Sequence, residues 1–152
     1  MPRQPRLDLD EYFPYLINRV GVALATGFGE HPLRRRKLSI AMWRVMAALS
    51  SNGDQRQVDL GKMTSIDAST LSRLVTRLIQ IGYVVRIRSR TSNREVAVKL
   101  TPAGRRLMGE LVPIARRLES VALAGISQRD LRVVKRALRR MHRNLGRLPG
   151  SR

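Results

Sequence analysis

Asp67-Ala68-Ser69-Thr70-Leu71-Ser72-Arg73-Leu74-Val75-Thr76-Arg77-Leu78-Ile79-Gln80-Ile81-Gly82 is the stretch on which the fold turns. Leu71, Leu74, Val75 and Leu78 recur at three- and four-residue steps, which lines them along one side of a helix. The other side carries Ser69, Thr70, Ser72, Arg73, Thr76, Arg77 and Gln80. Asp67 stands where a helix start needs a side-chain acceptor for its unpaired N–H groups. Gly82 stands where the end needs a left-handed residue. The polar side consists of short hydroxyls and two arginines, with no acid after Asp67. Short side chains let a helix press into the major groove of DNA, where hydroxyls and guanidinium groups reach phosphates and base edges. A solvated face would more usually mix Glu with Lys, although simple solvation remains the alternative.

The flanking residues supply a frame for this helix. Upstream, Ser39 caps a helix through Ile40, Trp43, Val45, Met46 and Leu49, stopped by the turn Ser51-Asn52-Gly53-Asp54. Val58, Leu60 and Met63 indicate a short helix weakened by Gly61, and Thr64-Ser65-Ile66-Asp67 turns the chain into the next. Downstream, 83–88 and 95–100 alternate in polarity and are rich in β-branched residues, as strands are. A polar tip, Ser89-Arg90-Thr91-Ser92-Asn93-Arg94, joins them. Helix, turn, helix, basic hairpin is the layout of a winged helix-turn-helix, here about residues 39–101. Ser65, Asp67, Arg86, Arg88, Arg90, Asn93 and Arg94 join the helix face as candidate DNA contacts. The hairpin would track the phosphate backbone or enter the minor groove.

Two further apolar-striped segments flank that core. Leu9, Tyr12, Phe13, Leu16, Ile17, Val20 and Leu24 form an amphipathic pattern within about 8–28. Pro14 falls in its first turn or kinks it, Gly27 and Gly29 are expected to end it, and a basic connector Arg34-Arg35-Arg36-Lys37 follows. Thr101-Pro102 opens a helix through Leu107, Leu111, Ile114 and Leu118, with a bend expected at Pro113. Ser127-Gln128-Arg129-Asp130 caps the last helix, whose apolar positions Leu131, Val134, Leu138, Met141, Leu145 and Leu148 alternate steps of three and four. Such a narrow seam wants a partner helix. A second copy of the chain can supply it, or the chain's own first helix. The expected fold is mainly α with a small β-hairpin, a single domain over 1–152. It is a winged helix-turn-helix with N- and C-terminal dimerisation helices at about 8–28 and 102–148.

Composition narrows the partners. The 152 residues carry a net charge of +19, 30 Lys and Arg against 11 Asp and Glu. Such an excess calls for a polyanion, with nucleic acid ahead of an anionic membrane surface or plain solubility. Hydrophobic residues make up 43% and aromatics 4%, a helical core of aliphatic side chains. The absence of cysteine excludes disulfides, thiolate metal sites and thiol redox sensing. The N-terminus lacks a signal-peptide core and no run approaches the length of a membrane span, so a soluble, cytoplasmic and nucleoid-associated bacterial protein is expected. No nucleophile, glycine-rich phosphate loop, carboxylate pair or His-rich spacing points to an enzyme. No cofactor or metal is expected, and His31 and His142 read as structural or solvated.

Three pieces together carry a family likeness: Asp67 to Leu78, then Gly82-Tyr83-Val84, then Asn93-Arg94-Glu95-Val96-Ala97-Val98-Lys99-Leu100-Thr101-Pro102-Ala103-Gly104. With Leu38-Ser39-Ile40-Ala41-Met42-Trp43-Arg44-Val45, the chain resembles the MarR family of bacterial transcriptional regulators. The resemblance implies a homodimer with interlocked terminal helices on a pseudo-palindromic operator of double-stranded DNA. It also implies repression relieved by a small aromatic or phenolic acid or its CoA thioester. The implied pocket, between dimer helices and winged domain, would draw on Tyr15, Asn18, Arg19, His31, Trp43, Arg44 and Met46. Arg19 would pair with a carboxylate and Trp43 stack on a ring, unless Trp43 and Met46 are plain core. Ser92 departs from the family pattern, which has Asp there to steady the wing arginine matched by Arg94. The alternative to a specific regulator is an architectural protein that coats DNA without sequence choice.

Overall fold

The computed structural model describes residues 6–88 and 96–147, within two compact units, 1–119 and 120–152. In the first unit, helix α1 (Phe13–Phe28) starts with Pro14 in its first turn, where a missing N–H costs nothing. It ends at Phe28 with Gly29 as the capping residue, as expected, but the cap is not left-handed. Gly27 lies inside the helix, and Gly29 keeps a right-handed helical conformation with φ −76°. Helical backbone continues through a wide π-turn, Gly29–Leu33, and a tight turn, Arg34–Arg36, before Lys37 reverses it with φ 56°. Pro32 sits in the π-turn. Having no N–H, it cannot make the regular bond to the carbonyl four residues back, so regular α-helix does not resume after Gly29.

The central elements follow the expected order. Helix α2 (Ile40–Asn52) is capped by the Ser39 hydroxyl, which accepts the Met42 N–H at 3.2 Å. Gly53 ends it with φ 74°. A two-residue strand, β1 (Gln55–Arg56), precedes helix α3 (Gln57–Thr64) and helix α4 (Ala68–Gln80). Strands β2 (Val84–Arg88) and β3 (Val96–Leu100) form the hairpin. The sheet is antiparallel with order β1-β3-β2, Gln55 facing Val98 and Val84 facing Leu100. So the hairpin is part of a three-stranded sheet whose third member went unexpected.

The core joins these elements. Leu71, Val75 and Leu78 from α4 are buried with Val45, Met46 and Leu49 from α2, Leu60 from α3, and Val84, Val98 and Leu100 from the sheet. Each such side chain contributes about 1.5–3 kcal/mol of hydrophobic stabilisation. Of the three apolar residues expected to bury α3, only Leu60 does so, while Val58 and Met63 are exposed. Gly61 has a positive role. A Cβ there would lie 3.3 Å from the Ile66 carbonyl oxygen, so α3 abuts the turn into α4.

Helix α5 (Pro102–Ala122) runs through Pro113 and buries Leu107, Met108 and Leu111 in the same core. Thr101 fastens its start. Its hydroxyl accepts the Gly104 N–H at 3.0 Å and donates to the Gly82 carbonyl at 2.6 Å, while its N–H donates to the Tyr83 carbonyl at 3.0 Å. The Cβ of any other residue at 104 would overlap the Tyr83 carbonyl oxygen. In the second unit, helix α6 (Gln128–Leu145) opens with Ser127, whose Oγ accepts the Asp130 N–H at 3.1 Å and donates to the Asp130 carboxylate at 2.7 Å. None of its residues is buried.

Gly104→Ala therefore destabilises the protein by about 1–3 kcal/mol in urea unfolding, through overpacking against backbone that cannot yield. Gly109→Ala, in the same helix with nothing within 4 Å of the added carbon, is neutral or stabilising by up to about 1 kcal/mol. Equal effects at the two sites would contradict the close approach.

Candidate nucleic-acid interface

The candidate surface is built by α4 and the hairpin. Asp67 accepts the Thr70 N–H at 2.9 Å and the Ser69 hydroxyl at 2.7 Å. Those hydrogen bonds, the Thr70 backbone N–H foremost, hold its carboxyl well below the usual carboxylate range. The acid at the head of the helix is therefore spent on the cap, where its charge also complements the helix dipole. Past the cap, Ser69, Arg73, Thr76 and Arg77 are exposed, while Thr70 and Ser72 are half-buried. Arg73 Nη2 reaches Thr70 Oγ1 at 3.4 Å and Arg77 Nη1 reaches Gln80 Oε1 at 3.5 Å. Both contacts are long and intrahelical, so both guanidinium groups stay available to an incoming acceptor. Ser65 is exposed at the turn before α4, with φ 55°. It caps α3 by donating its N–H to the Gly61 carbonyl.

The end of α4 sets where the hairpin begins. Gly82, with φ 82°, donates to the Ile79 carbonyl at 2.9 Å, and the Tyr83 N–H donates to the Leu78 carbonyl at 3.0 Å. This paired arrangement closes the helix and turns the chain directly into β2. Val84, Arg86 and Arg88 alternate onto one side of that strand. Val84 is buried whereas Arg86 and Arg88 are exposed, so the hairpin leaves the core as it extends. Arg90, Asn93 and Arg94, with Ser92, lie outside the described residues.

Two cations near this surface carried no pattern in the sequence. Arg56 holds Asp59 through a 2.7 Å ion pair, and that hydrogen bond pulls the Asp59 carboxyl below its ordinary value. Lys62 is exposed in the last turn of α3. A lone basic residue on an eight-residue helix gives no periodic signal, so only the packing of α3 against α4 draws attention to it.

The candidate ligand residues are scattered. Tyr15 and Arg19 stack on each other, with the guanidinium carbon 5.7 Å from the ring centre. Asn18 and His31 are exposed. Trp43 meets Phe28 edge-on, with centroids 4.7 Å apart and planes at 63°. Trp43 and Arg44 also line an open groove of about 420 Å³ with Ala47, Ala48, Met63 and Thr64. Met46 is wholly buried in the core. Among the described residues no cluster of His, Cys, Asp or Glu could hold a metal ion, and no helix is long and apolar enough to cross a membrane.

Because the Asp67 carboxyl titrates below its ordinary value of 3.8, its charge stabilises the fold above that pH. The contribution disappears as pH falls through the lower folded value. Asp67→Asn keeps a capping oxygen and removes the charge. Its melting temperature is expected to lie below that of the wild type near neutrality, with the gap closing as the solution is acidified below 3.8. A gap that stays constant with pH would show that the carboxylate charge has no role in the cap.

Residues 38–96 match the family model described as "MarR family". FarR, an HTH-type transcriptional regulator of Neisseria gonorrhoeae, is 32% identical over 79 residues, 52% of this chain and 54% of its own. The chain thus spans about half the length of that relative. A solved MarR family transcriptional regulator from Silicibacter pomeroyi superposes with a TM-score of 0.81 at 28% identity, covering 96% of this chain and 98% of that one. BpsR of Bordetella bronchiseptica, solved to explain regulation of its DNA binding by 6-hydroxynicotinic acid, gives a TM-score of 0.77 at 27% identity, covering 91% and 98%. The fold, the capped α4, the hairpin and these likenesses agree: the chain is similar to MarR family regulators, in sequence over residues 38–96 and in fold over nearly its whole length.

Proposed function

We propose that this chain is a sequence-specific DNA-binding transcriptional regulator, acting as a homodimer and releasing repression when a small aromatic acid or its CoA thioester binds. The observation that carries the reading is the outer face of α4. Ser69, Arg73, Thr76 and Arg77 are exposed there, its one acid is engaged in the cap, and a hairpin with Arg86 and Arg88 follows directly. Such a face enters the major groove, with guanidinium groups bidentate to guanine edges or phosphates. The hairpin arginines meet the adjacent backbone.

Dimerisation is supported by apolar side chains the single chain leaves uncovered. On and just before α1, Leu9, Tyr12, Phe13, Leu16, Ile17 and Val20 are 40–57% exposed. On α6, Val134, Leu138 and Leu145 are 47%, 37% and 61% exposed, along the expected seam. A second copy is the economical cover for both stripes, and its two-fold symmetry would read two half-sites about one helical turn apart. The effector class is supported by the BpsR likeness and by Trp43 and Arg44 in one groove, a ring to stack on beside a cation for a carboxylate.

The net charge of +19 favours a second reading, an architectural protein that coats DNA without sequence choice. Footprinting across DNA flanking the protein's own gene separates the two. A single protected two-fold site, bound far more tightly than random duplex at physiological salt, supports the regulator, and uniform protection supports the coating protein.

Arg73→Ala is expected to cost about 1–3 kcal/mol at one base position and to relax discrimination there. Arg88→Ala weakens all duplexes alike and lowers the log–log salt slope by about 0.9 for each phosphate no longer neutralised. Titrations of matched and single-substituted duplexes at several salt concentrations measure both effects. The placing of α4 as the reading element fails if Arg73→Ala leaves base preference untouched.

A further inference from the structure

Most of the positive charge is not on the reading head. The winged core, 39–101, carries ten Lys and Arg against four acids, a net +6 of the chain's +19. Residues 120–152 carry nine against the single acid Asp130, a net +8 in a segment about half as long. A surface evolved only to press α4 and the hairpin onto an operator has no need of that second concentration, and self-repulsion makes it costly.

Helix α6 gathers this charge on one side. Arg129, Arg132, Lys135, Arg136, Arg139, Arg140 and Arg143 span an arc of roughly 140° at about 100° per residue. Leu131, Val134, Leu138, Met141 and Leu145 occupy a stripe of roughly 80° whose centre lies about 150° from the centre of that arc. A partner helix seated on the stripe leaves the basic arc facing water. All seven basic residues are exposed. The only acid in the segment, Asp130, is occupied at the helix start by Ser127. Among the described residues Arg132, Arg136, Arg139 and Arg143 have no ion pair that would neutralise them.

We propose that the basic arc of α6 is a second binding surface for the phosphate backbone of double-stranded DNA, separate from the α4–hairpin reading head. The proposal rests on the regulator reading only in taking DNA as the polymer at hand. An 18-residue helix is about 27 Å long. Along that length a duplex presents on the order of 16 phosphate charges. Six of the seven cations are arginine, whose planar fork pairs bidentately with phosphate oxygens, where lysine acts as a point charge. The apolar stripe holds no aromatic residue to anchor it in a lipid interface. These features favour duplex DNA over an anionic membrane. A chain holding DNA at two surfaces gains the high effective concentration of the second contact without further base recognition.

The test uses full-length protein with Arg132→Gln, Arg136→Gln, Arg139→Gln and Arg143→Gln combined. This leaves the apolar stripe untouched, and circular dichroism and sedimentation confirm that helix content and assembly match the wild type. Wild type, this variant and an Arg73→Gln/Arg77→Gln variant are titrated onto a random duplex of roughly 60 base pairs between about 50 and 200 mM salt. The α6 variant is expected to bind at least tenfold more weakly, with a log–log salt slope smaller by about 3 to 4 per protomer engaged. Its preference for a protected site over random duplex is expected to persist. Affinity and slope equal to wild type would overturn the proposal. So would α6-dependent binding to phosphatidylserine vesicles with duplex affinity unchanged. Failure of the reading head shows separately, as an Arg73→Gln/Arg77→Gln variant whose base preference equals wild type while the α6 effect stands.

Discussion

The close approach of Gly104 to the Tyr83 carbonyl is the contact on which the reading surface depends. It brings the first turn of α5 against the backbone that leaves α4, so close that a single added carbon would collide with it. Thr101 closes the same junction with three hydrogen bonds, to the Gly82 carbonyl, the Tyr83 carbonyl and the Gly104 N–H. Because β2 starts at Val84 and β3 ends at Leu100, this knot fixes the base of the hairpin relative to the end of α4. The arginines of two elements far apart in composition thereby become one surface.

How much of this was visible in the residues alone follows from which interactions are local. Ser39, Asp67, Thr101 and Ser127 each bond an N–H three residues ahead, so the starts of α2, α4, α5 and α6 could be placed from side-chain type. The glycine after α4 was equally plain. What escaped was set by distant partners. Strand β1 has two residues and exists only because Gln55 and Arg56 pair with Val98 and Ala97. The two turns that carry helical backbone on past α1, from Gly29 to Arg36, had no signal in the sequence. Val58 and Met63 looked like core by spacing, yet the face α3 turns inward is the one carrying Leu60 and Thr64, four residues apart.

The same distinction divides the candidate sites. The polar face of α4 needed only the helical period, and its exposed residues fall where that period puts them. The ligand residues needed knowledge of which side chains converge. Met46 is wholly in the core, Trp43 packs against Phe28, and Tyr15 and Arg19 engage each other. Charge and apolar surface follow a parallel logic. Each is in excess of what the winged core uses, and each excess lies on the terminal helices, where a second copy of the chain and a second stretch of backbone would take them up.

The central claim is that α4 and the hairpin read sequence and that two copies do so together. Selection of bound duplexes from a random pool by the full-length protein at physiological salt measures this directly. The account predicts enrichment of one two-fold-related sequence whose half-sites are centred about one helical turn apart. A pool that stays random after repeated rounds, despite tight binding, would contradict it.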